Sequence, residues 1–236
     1  DAGHRVVADV AIAGGGPAGA ALAIELGRRG LRVNLYEKTR HPRLKACGEG
    51  LLPHGVAALS AIAGLPEAPR VRGLRFVAGG ASTEAEFPDG FGMVVRRDWF
   101  DAWLFEKAGA TPNVDARMGT PYRSEGERFV VGADGRHSWF HRRLEAIRPR
   151  HVRVGLSAHV IGLDEIDDRV EVFFHREGEL YIAPTGGGET LVAALFHRDR
   201  FRRDGISYLL ETIPAVRDRA RRLEFTTPVL AASPLG

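Results

Sequence analysis

Val6-Val7-Ala8-Asp9-Val10-Ala11-Ile12-Ala13-Gly14-Gly15-Gly16-Pro17-Ala18-Gly19 is the stretch on which the fold turns. Its first eight residues are apolar on both parities apart from Asp9, the pattern of a short strand buried on both faces. Glycines follow at the spacing Gly14-x-Gly16-x-x-Gly19. An alanine-rich helical pattern then runs from Pro17 to about Arg29, with Gly30 as its stop. Residues 31–36 read as a second strand, closing on Glu37. A strand–helix–strand unit of this kind implies parallel strands joined by a right-handed crossover.

The chemistry of that turn is specific. Gly14 allows the tight exit from the strand, Gly16 lets backbone approach a pyrophosphate, and Gly19 lets the helix pack closely. The helix N-terminus that follows presents unpaired N–H groups and a partial positive charge to phosphates. Glu37, 18 residues beyond Gly19, is placed to accept ribose hydroxyl hydrogen bonds. An acid there disfavours a 2′-phosphate, so the expected ligand is a dinucleotide other than NADP. The glycines alone leave NAD and FAD open.

Working outward, residues 40–53 read as an irregular, glycine-punctuated loop and 54–63 as a short helix. Residues 71–78 and 81–87 form a hairpin pattern about Gly79-Gly80. A short strand over 93–96, a helix over 98–108 and a strand over 128–133 follow. Trp99 and Trp103, four apart on that helix, have core spacing. The second half changes texture: 152–161, 169–175, 179–183 and 190–196 read as successive antiparallel strands. Residues 204–222 read as one amphipathic helix with Leu209, Leu210, Ile213 and Val216 on one side.

Composition narrows the class. At about 150 residues per domain, 236 residues make one large domain or two small ones, and 44% hydrophobic with 27% charged residues is ordinary globular composition. The 33 Lys+Arg and 30 Asp+Glu are interleaved, with no basic block of nucleic-acid type. The single cysteine, Cys47, excludes an internal disulfide and a multi-cysteine zinc site. The histidines show no HxH or HExxH spacing, so no metal is expected, and most of them read as surface or loop residues. No apolar run reaches the roughly 18–20 residues that span a bilayer. No secretory signal is legible, and the expected setting is reducing and cytoplasmic.

Three further stretches carry a resemblance: Phe129-Val130-Val131-Gly132-Ala133-Asp134-Gly135-Arg136-His137-Ser138, Lys45-Ala46-Cys47-Gly48-Glu49-Gly50-Leu51-Leu52-Pro53, and Arg97-Asp98-Trp99-Phe100-Asp101. With the glycine turn, they make the chain similar to the FAD-dependent flavoprotein superfamily of geranylgeranyl-reductase-like enzymes and aromatic hydroxylases. The resemblance implies an α/β fold: a Rossmann-like FAD-binding domain (1–70 and 92–148) interleaved with a mostly antiparallel substrate-binding sheet domain (71–91 and 149–236). It implies that Gly14, Gly16, Pro17, Ala18 and Gly19 hold the FAD pyrophosphate, with Glu37 and Lys38 at the ribose end. Asp134, Gly135 and Arg97 would contact the cofactor, and Ala46, Cys47 and Gly48 would lie beside the flavin. Cys47 is the one candidate catalytic group.

The match also has departures. The family's arginine three residues after Ser138 is replaced by His141, with Arg142 and Arg143 next. Tyr181-Ile182-Ala183-Pro184 is similar to the aromatic YxWxFP segment lining the reductases' substrate cavity, with Tyr181 and Ala183 in place of two aromatics. It reads equally as a pocket wall and as an edge strand with a glycine turn. The WxWxIP signature of flavin-dependent halogenases is absent from the sequence.

The activity implied is that of an FAD-dependent oxidoreductase, with NAD(P)H as reductant. The flavin then reduces an unsaturated, apolar or aromatic small molecule, or activates O₂ for hydroxylation. A non-catalytic flavin- or prenyl-binding module of the same fold and an NAD-dependent dehydrogenase are the rival readings. Complete family members carry a third, Gly-Asp motif and closing helices beyond the substrate sheet. Gly236 stands about where that motif begins and 111–126 is short, so the sequence is expected to be an incomplete copy.

Overall fold

A computed structural model describes residues 7–136, 138–140 and 152–235. Val6, His137, His141, Arg142 and Arg143 lie outside the described residues. The chain divides into two compact units, residues 1–43, 59–64 and 98–147 in the first and 44–58, 65–97 and 148–236 in the second.

The first unit is built on a four-stranded sheet, ordered Val114–Met118, Val33–Glu37, Val10–Ala13, Phe129–Gly132, in which every pairing is parallel. Every residue of Val10–Ala13 and Val33–Glu37 is buried, as strands covered on both faces require. Strand Val10–Ala13 starts later than the apolar run because Asp9 turns aside to Arg32, taking its N–H at 2.9 Å and its guanidinium at 2.9 and 3.2 Å. Helix Pro17–Arg28 begins with proline, whose missing N–H costs nothing there. It ends where Gly30 takes φ +83° and donates to the Gly27 carbonyl.

Two expectations fail in this unit. Strand Val114–Met118 falls where no element was expected, because its Val-Asp-Ala-Arg-Met pattern is short and only half-buried. Trp99 and Trp103 do not form a core pair. The buried face of helix Arg97–Gly109 is Phe100, Asp101, Leu104, Phe105 and Ala108, while Trp99 is 44% exposed and stacks on Trp103 with ring centroids 5.9 Å apart. Residues at i and i+4 share a face, but spacing does not say which face is inside.

The second unit carries a larger sheet. Its order is Glu224–Phe225, Arg153–Ile161, Glu189–His197, Gly178–Gly186, Arg169–His175, Gly73–Ala78, Ala81–Glu86, with Leu230–Leu235 also pairing Arg153–Ile161. All pairings are antiparallel except that of Gly73–Ala78 with Arg169–His175, which is parallel. One face is the core: Leu156, Phe173, Leu180, Val192 and Phe196 pack against Ile206, Leu209 and Val216. A small three-stranded sheet joins Gly50–Leu51, Gly92–Val94 and Arg70–Val71.

Here too the sequence reading needs correction. The single helix expected over 204–222 is two, Gly205–Thr212 and Pro214–Arg217. Pro214 has no N–H to continue the first helix, and Ile213 before it is extended at ψ 107°. Tyr181 does not lie on an edge strand, since Gly178–Gly186 has a partner on each side.

Candidate functional site

In the first unit the site begins at the glycine turn. Gly14 has φ +115°, and a Cβ there would stand 2.3 Å from the Ala133 carbonyl oxygen; one on Gly19 would stand 1.9 Å from the Gly14 oxygen. Both positions therefore require glycine, and the turn, the helix start and the Asp134 backbone are held in direct contact. Gly16 caps the helix without any side-chain hydrogen bond. Its first N–H groups are thus left to an outside acceptor. Gly16 and Pro17 are half-exposed and Ala18 exposed at that end.

Glu37 is buried beside the turn. Its Oε2 accepts the Gly15 N–H at 3.0 Å and an Arg43 guanidinium hydrogen at 3.3 Å, and its Oε1 accepts from Thr39 N and Oγ1 at 2.9 and 2.7 Å. Burial by itself would raise this carboxyl, but the Thr39 hydrogen bonds, the Arg43 charge and the Gly15 N–H outweigh it and hold it below the usual carboxylate range. Lys38 next to it is exposed. Across the sheet, Asp134 Oδ2 accepts the Trp139 N–H at 2.8 Å, while its Oδ1 is buried without a partner among the described residues. Gly135 takes φ +78° and its carbonyl accepts the Ser138 N–H at 3.1 Å.

The second unit holds the Ala46-Cys47-Gly48 loop. Cys47 donates its N–H to Ser157 Oγ at 3.2 Å, and its Sγ accepts the Glu49 N–H at 3.4 Å. Gly48 is exposed, and a Cβ added there would meet nothing within 4 Å. Packing inside the chain thus does not demand a glycine at 48. Glu49 is buried: its Oε1 accepts the Arg97 N–H at 2.9 Å and its Oε2 lies 2.8 Å from His159 Nε2.

Sequence reading missed this pair and singled out none of the histidines, setting most of them at the surface or in loops, whereas His159 is 5% exposed. No spacing rule joins residues separated by 110 positions. The alternation of strand Arg153–Ile161 was the one available signal, since it puts Ser157 and His159 on one face.

That face, opposite the helix-covered core, bears a row of cross-strand neighbours: Phe76, Val172, Tyr181, Ala193 and Ser157. At about 4.8 Å per strand the row is about 19 Å long. Tyr181 donates its hydroxyl to Glu179, and burial together with that carboxylate pushes the phenol up to about 12.

These features fit FAD. Within the first unit, the capless helix start and glycine cradle suit a pyrophosphate, and the unpartnered Asp134 Oδ1 suits a ligand hydroxyl. Among the described residues there is no group of three or more potential metal ligands. No helix among them is long and apolar enough to cross a membrane.

Residues 7–64 match the family described as FAD binding domain. Menaquinone reductase of Mycobacterium tuberculosis is 39% identical over 131 residues, 53% of this chain and 29% of that protein. Geranylgeranyl diphosphate reductase of Rhodobacter capsulatus is 29% identical over 155 residues, 55% of this chain and 38% of that protein. The chain thus spans well under half the length of these curated relatives. Among solved structures, the flavin-dependent brominase Bmp2 superimposes with a TM-score of 0.82 at 20% identity, over 97% of this chain and 67% of that one. At that identity the likeness speaks for the fold alone. Residues 7–64 thus match an FAD binding domain, and the chain is similar in sequence to two reductases.

Proposed function

We propose that the protein is an FAD-dependent reductase that takes its electrons from NAD(P)H and saturates a double bond of an elongated apolar substrate. The observation that carries this reading is the row from Phe76 to Ser157, whose Ser157 end also anchors Cys47. A lane about five strands, or roughly 19 Å, long matches an extended chain better than a compact ring. The two curated relatives are named for menaquinone and geranylgeranyl diphosphate, and an isoprenoid chain is the substrate class their names suggest.

When bound, FAD supplies two-electron transfer. The residues supply position. Gly14, Gly16, Ala18 and Gly19 receive the pyrophosphate at the helix start, and Pro17 presets the first turn. Glu37 takes the ribose: its carboxylate already accepts four hydrogen bonds, so a ribose hydroxyl replaces the longest of them, from Arg43. Lys38 and Arg97 offset phosphate charge. Asp134 Oδ1 accepts a cofactor hydroxyl, with Gly135 making the turn that aims it. Ala46, Cys47 and Gly48 face the flavin ring.

Two measurements test the proposal. Titration with FAD is expected to quench flavin fluorescence saturably; no uptake overturns the reading. Anaerobic incubation with NADPH or NADH and a polyprenyl quinone is expected to yield a product that keeps two extra hydrogen atoms in its side chain after the quinol ring has been reoxidised. Turnover that requires oxygen and inserts it into the substrate overturns the reductase assignment in favour of a hydroxylase.

A further inference from the structure

The cofactor roles above make no use of a buried, hydrogen-bonded pair in the second unit. Glu49 and His159 are 4% and 5% exposed. Glu49 has φ +54°, in the left-handed region that residues with a side chain rarely adopt. Two clamps on its carboxylate hold it there: His159 Nε2 at 2.8 Å, from strand Arg153–Ile161, and the Arg97 N–H at 2.9 Å, from the start of helix Arg97–Gly109. The twisted backbone turns the Glu49 N–H to Cys47 Sγ at 3.4 Å, and the Glu49 carbonyl accepts the Val95 N–H at 2.8 Å. Two residues before His159, on the same face, Ser157 Oγ accepts the Cys47 N–H. One strand therefore grips the loop on both sides of Gly48.

We propose that Glu49 and His159 are the positioning pair of the flavin-side loop, holding Cys47 Sγ and the exposed Gly48 backbone in the geometry that receives a planar ring. The proposal rests on the flavin reading of this loop. Neither residue touches reacting atoms, so both act through their neighbours. Pure fold stability is a poor reason for the pair, because a buried polar pair replaced by apolar residues of similar size can leave stability unchanged or raised.

That contrast supplies the test. The Glu49→Leu/His159→Leu double variant fills the same space and removes both clamps; Glu49→Gln keeps an acceptor for Arg97 and a donor for His159. Two readouts are taken: alkylation of Cys47, the one thiol, by iodoacetamide without FAD, and FAD affinity by fluorescence quenching. Melting curves run alongside. The double variant is expected to fold with an unchanged or raised Tm, to alkylate about tenfold faster and to bind FAD about tenfold more weakly, as the loss of one charge-assisted hydrogen bond implies. Glu49→Gln is expected to stay within about twofold of the parent chain in both. A folded double variant that matches the parent in both readouts overturns the proposal, and so does a Glu49→Gln variant that fails as badly as the double one. Faster alkylation in a protein that takes up no FAD in any form overturns the flavin reading instead, and leaves the grip on Cys47 standing.

Discussion

Single atoms decide the glycine turn, and Gly19 and Gly48 make a contrast. An alanine at 19 puts its Cβ 1.9 Å from a backbone oxygen that cannot yield. Gly19→Ala is therefore expected to cost more than about 3 kcal/mol or to prevent folding, read by urea denaturation. An alanine at 48 meets no atom within 4 Å. Gly48→Ala is expected to change stability by less than about 0.5 kcal/mol and yet, on the proposed flavin reading of this loop, to weaken FAD binding. Glu37 sets a third outcome. Its carboxyl is held below the ordinary value in the folded chain, so its stabilising effect is present at neutral pH and lost as pH falls through that lowered value. Glu37→Gln is expected to cost about 2 kcal/mol near neutral pH. The gap to the parent should narrow below about pH 4, checked by melting curves across that range.

Among the elements, legibility followed the locality of the cause. The Val10–Ala13 strand, the Pro17–Arg28 helix and the Gly73–Ala78/Ala81–Glu86 hairpin each carry their signal within one short stretch of chain, and each was readable. Trp99 was misplaced because helical spacing defines faces without ranking them. Val114–Met118 escaped because an edge strand needs only half its residues buried. The Glu49–His159 contact was out of reach because it arises from sheet register. Helix Gly205–Thr212 shows how much rests on one packed face. Leu209 is fully buried against the sheet, and Leu209→Ala is expected to cost about 3 kcal/mol, with the loss visible as a lower urea midpoint.

For the whole molecule, the proposed cofactor acts as a source of stability as well as chemistry. A ligand that binds only the folded chain, present at a hundredfold over its Kd, stabilises it by about 2.7 kcal/mol. Melting with and without FAD is expected to differ accordingly, and NAD at the same concentration should give no shift. Equal shifts from both would favour a dinucleotide site without flavin selectivity. Sequence reading reached the division into a parallel α/β part and a mostly antiparallel part, since strand texture differs between the halves.

The parallel pairing of Gly73–Ala78 with Arg169–His175 also bears on how the chain is made. Arg75 is 96 positions from Glu171, the partner that joins the two strands by an ion pair. At the ribosome, roughly 5–20 residues emerge each second, so the early hairpin waits on the order of ten seconds with one edge unsatisfied. An unpaired strand edge is a template for foreign strands. The hairpin carries charge against that hazard: Arg75 pairs with Glu84 across its two strands, and Arg72, just before the first strand, pairs with Glu86. These contacts join residues of the hairpin alone, so they can form before the rest of the sheet has been synthesised. A nascent chain stripped of them should depend more heavily on chaperones than the finished fold's stability would suggest.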